Sequence, residues 1–163
     1  KKLHLDVSRM LGNPFDPPHI EKWCNGWQVR AHFFAYYKYE FNRDSAAILS
    51  VLLNRRRLQV SLDWHCYRAD RSQIKLPQYN QWLSALDRKQ YQDFDIWQGQ
   101  ESEYADFQSV KSFGQNEFLL NNEEDFYCIG KNIEKSSLAD IDAPEFIYQT
   151  IRQLLPLYEA CHR

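Results

Sequence analysis

Glycine is scarce in this 163-residue chain, which has only Gly12, Gly26, Gly99, Gly114 and Gly130. No G-x-G-x-x-G turn and no glycine-rich loop ending in Gly-Lys-Ser or Gly-Lys-Thr exists, so the backbone cradle for a pyrophosphate is missing. Nicotinamide dehydrogenases and P-loop hydrolases are thereby excluded. The G-x-S-x-G elbow of serve-as-nucleophile serines and the H-E-x-x-H zinc helix are missing too. Long apolar runs are absent as well: the longest, residues 46–53, falls far short of the roughly 20 residues that span a bilayer. No basic head precedes an apolar signal core. These absences predict a soluble, cytoplasmic protein. The abrupt opening at Lys1-Lys2 fits a piece trimmed from a longer chain.

Cysteine is present but unpaired in pattern. Cys24, Cys66, Cys128 and Cys161 lie far apart with no C-x-x-C spacing, which predicts four free and mostly buried thiols. His65 precedes Cys66 and Cys161 precedes His162, but neighbours on a strand point to opposite faces, so no zinc set is completed. No metal and no cofactor is expected.

Neither sign of charge dominates, since the formal net charge is -2. Residues 1–75 nevertheless hold thirteen Lys and Arg against seven Asp and Glu, a balance of +6, and residues 76–163 hold seven against fifteen, a balance of -8. A basic and an acidic side follow if the fold keeps the halves apart; if it interleaves them the difference averages out. With 44% hydrophobic and 15% aromatic residues, the length suits one core and is too short for two. Residues 1–163 are read as a single domain.

Leu3, Val7, Met10 and Leu11 recur at helical spacing until Gly12-Asn13-Pro14 and Pro17-Pro18 break the run. A second short helix is expected near His19, carrying Ile20, Trp23 and Cys24 up to a turn at Asn25-Gly26. Residues 27–41 are aromatic and free of breakers, predicting one long strand. Val29, Ala31, Phe33, Ala35, Tyr37, Tyr39 and Phe41 would share one face; Arg30, His32, Phe34, Tyr36, Lys38 and Glu40 the other. Residues 46–53 suit a strand buried on both sides, although Asp44-Ser45 also fits a helix cap. Asn54-Arg55-Arg56 reads as a hairpin turn into an alternating strand. There Leu58, Val60, Leu62, Trp64 and Cys66 are expected to be buried, and Gln59, Ser61, Asp63, His65 and Tyr67 to face the other way.

Farther on, residues 77–86 suit a helix with Tyr79, Trp82, Leu83 and Leu86 on one side, and residues 93–97 a short strand. Residues 99–115 are too polar to assign. Residues 126–133 read as a strand in which Gly130 marks a bulge or close contact. Asp142-Ala143-Pro144-Glu145 opens a capped helix that Pro156 should kink or divide. Successive strands closed by a helix give an α+β class, an antiparallel sheet packed against helices.

Three groups of residues suggest chemistry. Pairing the alternating strands would set Arg30, His32, Tyr36 and Lys38 beside Ser61, Asp63 and His65, so that an aspartate orients an imidazole for acid–base work. The same residues equally suit the solvent side of a half-exposed sheet. Aromatics crowd the basic half: Trp23, Trp27, Tyr36, Tyr37, Tyr39, Trp64 and Tyr67, with Tyr79 and Trp82 just beyond. Such a mixture stacks bases and tracks phosphates, or is core and core margin. Arg55-Arg56-Arg57 is either a phosphate contact or a solvated hairpin tip.

The order of elements resembles the N-terminal DNA-binding domain of McrB-type modification-dependent restriction subunits. The likeness runs through Gly26-Trp27 entering the strand to Phe41, the hairpin AILSVLLNRRRLQVSLDW, the strand FYCIGKNI and the closing helix PEFIYQTIRQLLPLYEA. It covers roughly residues 26–160 by pattern, without a shared motif, and residues 88–124 do not align. The resemblance implies a reader of methylated cytosine that flips the base into an aromatic pocket. The chain is also similar, more loosely, to a bacterial family whose members sometimes bear the label glucose-6-phosphate 1-dehydrogenase, an activity for which the nucleotide-binding turn is lacking.

The leading expectation is a non-catalytic domain binding nucleic acid, with Arg55, Arg56 and Arg57 on phosphates and Tyr36, Trp64 or Tyr67 stacking a base. The alternatives are a small cofactor-independent enzyme using His65 or His32 with Asp63, and a protein-interaction module with an exposed apolar patch. No membrane partner is expected.

Overall fold

The helical spacing at the start produces α1 (Lys2–Leu11), which buries Val7 and Leu11. It stops at Gly12, whose φ of 60° lies in the left-handed region open to a residue without Cβ. The computed structural model describes residues 1–22, 24–114 and 118–163. After the proline-rich crossing the chain forms a strand and not the expected helix. β1 (His19–Ile20) lies along the sheet edge, and β2 (Cys24–Asn25) and β3 (Gln28–Val29) make a separate antiparallel hairpin turned at Gly26, φ 65°. Trp23 lies outside the described residues.

The long strand expected over residues 27–41 is likewise divided. After β3 the chain leaves regular structure, β4 (Phe33–Tyr37) follows, and a 3-10 turn spans Glu40–Asn42. The reason is the length of the neighbour: Phe33 pairs with Leu53, the last residue of β5 (Ala47–Leu53), so residues before 33 lie past the end of β5 and cannot continue that ladder. Ala35, Tyr37 and Tyr39 are buried as the alternation predicts, whereas Val29, Phe33 and Phe41 are exposed.

The hairpin forms as read. β5 pairs antiparallel with β6 (Arg57–Trp64), Leu49 facing Leu62 and Val51 facing Val60. Asn54 closes the turn: its N–H donates to the Arg57 carbonyl, and its side-chain oxygen accepts from the N–H groups of Arg56 and Arg57 at 2.8 Å each. The helix at residues 77–86 appears as α2 (Leu76–Tyr79) running into a 3-10 turn at Asn80–Ala85, with Tyr79 and Trp82 buried.

β7 (Asp95–Gln98), β8 (Gln108–Ser109) and β9 (Tyr127–Glu134) complete a seven-stranded antiparallel sheet in the order β1-β4-β5-β6-β9-β7-β8. Gly130 is a close approach: a Cβ there would stand 2.2 Å from the Val60 carbonyl oxygen. α3 (Ala143–Ala160) starts under the Asp142 cap, whose Oδ1 accepts from the Glu145 N–H at 3.1 Å. It passes Pro156 as one element, so the expected division does not occur.

The sheet has two unlike faces. On one, Leu49, Val51, Leu58, Val60, Leu62 and Trp64 join Ile147, Ile151, Leu154 and Leu157 of α3 in the main core. Each such side chain contributes about 1.5–3 kcal/mol through removal from water. Phe34, Tyr36, Ile48, Ser50, Leu52, Gln59, Ser61 and Asp63 share the opposite face by register. The class is therefore α+β, an antiparallel sheet with helices packed against it.

Candidate functional site

An open pocket of about 1000 Å³ lies on the second face. Phe34, Ile48 and Leu52 supply apolar lining; Glu21, Gln28, Arg30 and His32 come from the segment around the β2–β3 hairpin; Gly99 and Phe126 form another wall. That wall needs glycine: the Phe126 ring would stand 2.1 Å from a Cβ at position 99. Val29, Ala31, Asp63, Trp64, His65, Cys66 and Tyr67 complete the lining.

The acid–base candidates thus share one pocket. His65 lies just past the end of β6, its N–H donating to the Ala46 carbonyl at 2.8 Å. Its ring centroid is 5.5 Å from Tyr36, 6.2 Å from Phe34 and 6.0 Å from Tyr67. The Nδ1 atom is buried with no hydrogen-bond partner among the described residues. Burial, then the charges of Arg68 and Lys38, lower the His65 pKa and favour the neutral ring. Asp63 does not orient that ring. Its Oδ1 accepts from the Trp64 N–H at 2.7 Å and from the Cys128 thiol at 3.1 Å, and burial raises its pKa. His32 pairs with Glu103 at 2.9 Å when protonated. Ser61, placed beside these groups by alternation, is sealed against Ser50, the two Oγ atoms 2.9 Å apart.

Most of the aromatic and arginine candidates are occupied by the fold. Trp64 is buried on the helix-covered face, 5.4 Å from the Tyr79 ring, which corrects its assignment as a base-stacking platform. Tyr36 is buried and stacked on His19 at 4.7 Å, so its ring is already covered. Arg57 is 3% exposed, donates to the Ala105 carbonyl at 2.6 Å and stacks on Phe107, which removes it from contact with phosphate. Arg56 is held by Asp106, the Tyr104 carbonyl and Glu134. These two arginines clamp the segment 104–106 across the hairpin end, a role that a run of arginines in a turn does not reveal. Arg55 is exposed at the tip. Tyr67 is fully exposed at the pocket.

Cys66 also departs from expectation. β6 ends at Trp64 and the chain enters a 3-10 turn, Cys66–Arg71, so the apolar alternation stops one residue pair early and Cys66 is exposed. Cys128 and Cys161 are buried and Cys24 half-buried, all four free. Among the described residues no three His, Cys, Asp or Glu side chains are placed to hold a metal ion, and no helix is long and apolar enough to cross a membrane.

A protein-family model matches residues 1–161. The chain belongs to that family. It is 62% identical over 170 residues to a protein of Haemophilus influenzae described as "Uncharacterized protein", with 99% of this chain and 82% of the relative covered. Kinship over nearly the whole chain means that the sheet, the pocket and the segments 16–22 and 99–107 around it belong to one matched unit.

Period-two alternation pointed to Arg30, His32, Asp63 and His65 of the pocket's polar residues and not to Glu21 or Gln28. It missed the apolar lining from Ile48 and Leu52, which read only as core, and the Gly99–Phe126 wall, formed by segments 27 residues apart with no local signal.

Proposed function

We propose that this is a binding domain for nucleic acid that receives a base, modified or unmodified, in the pocket on the open sheet face. The observation that carries this reading is the pocket itself, about 1000 Å³ with Phe34, His65 and the exposed Tyr67 in its lining. Apolar and aromatic surface suits a planar base, and Asp63, His65 and His32 offer hydrogen-bonding groups to its edge. The pattern resemblance to the McrB-type DNA-binding domain supports the same reading. Tyr67 and Arg55 keep the roles of base contact and phosphate contact.

The test is a titration of methylated and unmethylated duplexes and of single strands at several salt concentrations. Affinity that falls with rising salt is expected, together with a loss of about fivefold or more in the Tyr67→Ala variant, from stacking worth about 1–3 kcal/mol. Binding undetectable for every strand, or indifferent to salt, overturns the reading.

A second reading, a small cofactor-independent enzyme, draws on the convergence of His65, His32 and Asp63 on the same pocket. The unpartnered His65 Nδ1 is its most specific support. It requires turnover of a small substrate that His65→Gln abolishes; a nucleic-acid complex unaffected by that change and no turnover would remove it.

A further inference from the structure

Beside the pocket, around the Tyr36 ring, lies a feature that base binding alone does not use. Two clefts, of about 230 and 620 Å³, share Lys38, Arg43 and Arg68 in their linings. The smaller is completed by Asp16, Pro17, Pro18, His19 and Tyr36. We infer that this smaller cleft is a phosphate-binding site, with Lys38 and Arg68 as the residues that hold the anion.

Lys38 carries the argument. Its side chain belongs to a residue only 5% exposed, and its ammonium donates to the Ser45 carbonyl and, at 3.0 Å, to the Arg43 carbonyl. An ammonium has three donors, so one remains for a ligand. No carboxylate stands within ion-pair distance of it among the described residues. A buried cation without an anionic partner is costly, and an anion entering the cleft supplies that partner. Arg68 is a second cation without a carboxylate partner among the described residues, placed over the Tyr36 ring at 5.6 Å, with the Lys38 ammonium 5.3 Å from the same ring.

Competition inside the cleft is small. Its one acid, Asp16, is engaged by Arg43 in a two-pronged pair at 2.8 and 2.9 Å, leaving Lys38 and Arg68 as the uncompensated charge. The volume holds a tetrahedral anion with water, given about 30 Å³ per water molecule. Guanidinium and ammonium donors converging from two elements recognise phosphate in preference to a spherical halide. The surroundings of Lys38 agree: burial, then Arg68, lower its pKa to about 8 against the pull of Asp44 and Asp16, and its charge is felt by His65 and His162. The negative charge of a bound phosphate acts in the opposite direction and favours the ammonium.

The anion site stands on its own geometry; that the phosphate is carried by a nucleotide rests on the nucleic-acid reading. The Tyr36 ring spans the two sites, since His65 of the pocket is 5.5 Å from it and Arg68 5.6 Å.

The experiment is a nuclear magnetic resonance titration of the whole chain with inorganic phosphate, against sodium chloride at matched ionic strength. Parallel arms use a nucleoside 5′-monophosphate and a short single-stranded oligonucleotide. Saturable shifts at Lys38, Tyr36 and Arg68 are expected with phosphate and not with chloride. Arg68→Gln, an exposed position that leaves the core untouched, should weaken phosphate binding about tenfold. Lys38→Met should abolish it, with the amide spectrum reporting that the variant is folded. Affinity should also fall as pH rises through about 8, where Lys38 loses its proton. No saturable phosphate response, or an equal one in Arg68→Gln, overturns the site. Phosphate binding with an inert oligonucleotide upholds the anion site and assigns it to free phosphate or a phosphomonoester, while the nucleic-acid reading fails separately.

Discussion

The two faces of the central sheet are built from the same strands and differ in nearly everything else. Beneath α3, β5 and β6 present Leu49, Val51, Leu58, Val60 and Leu62, all buried in the main core. One residue out of phase, the same strands present Ser50, Gln59, Ser61 and Asp63 beside Ile48 and Leu52. That face keeps buried atoms without a partner among the described residues: Arg57 Nε, Gln59 Oε1 and Asn132 Oδ1, with His65 Nδ1 at the pocket. The closed side has such an atom too, Trp82 Nε1, but it is sealed in the core and out of reach of a ligand. On the second face His65 alone of these four lines the pocket, where its Nδ1 can meet a ligand, and the others are a cost in stability.

The comparison breaks most visibly on the closed face. Leu62→Ala leaves a cavity among residues that cannot collapse onto it, and should lower unfolding free energy by about 2–5 kcal/mol in urea titrations. A loss below about 1 kcal/mol means that this face is looser than its burial indicates. Next is Gly130→Ala, where the new methyl meets the Val60 carbonyl and Ser61. The expected loss is about 1–3 kcal/mol, and an unchanged denaturation midpoint would show that β6 and β9 separate freely.

On the open face the effects become smaller and non-additive. Ser61→Ala leaves the Ser50 hydroxyl only its long 3.5 Å contact to the Ser61 carbonyl and should cost about 1–2 kcal/mol, whereas Ser50→Ala with Ser61→Ala should cost less than the sum, since both partners leave together. Additive losses would show that the 2.9 Å contact is not a coupled hydrogen bond.

The smallest effect concerns pH. Burial raises the Asp63 pKa above its ordinary value, so the folded state binds this proton more tightly than the unfolded chain, where the pKa is about 3.9. Stability from this group therefore falls as pH rises from roughly 4 to the raised folded pKa, then stays level. Asp63→Asn keeps an Oδ1 acceptor for the Trp64 N–H and the Cys128 thiol and should flatten that fall. A variant whose pH profile superimposes on the parent would mean that the carboxyl is solvated in the fold.

The register of the central hairpin was legible because an inversion would have exposed Trp64 and buried Asp63, a difference that period-two alternation states in every residue. The closing helix was legible through Asp142 and its apolar spacing, and the strand at residues 126–133 through its composition. The division of residues 27–41 was not. Their composition suits a strand throughout, and what holds back the start of β4 to Phe33 is the end of β5, a fact about the neighbour.

The same boundary runs through the site. Composition and alternation alone determined the α+β class, the register of the hairpin and the residues His32, Asp63 and His65 that come to one pocket. Tertiary structure decided which candidates are free to act. Arg56 and Arg57 are taken by segment 104–106, Tyr36 by His19 and Trp64 by Tyr79, while Lys38 and Arg68 stand without a carboxylate partner among the described residues. Local sequence sets what a side chain can do through its chemistry and its periodicity. Whether its hydrogen bonds and charge are already satisfied depends on residues tens of positions away, and only the folded chain brings those together.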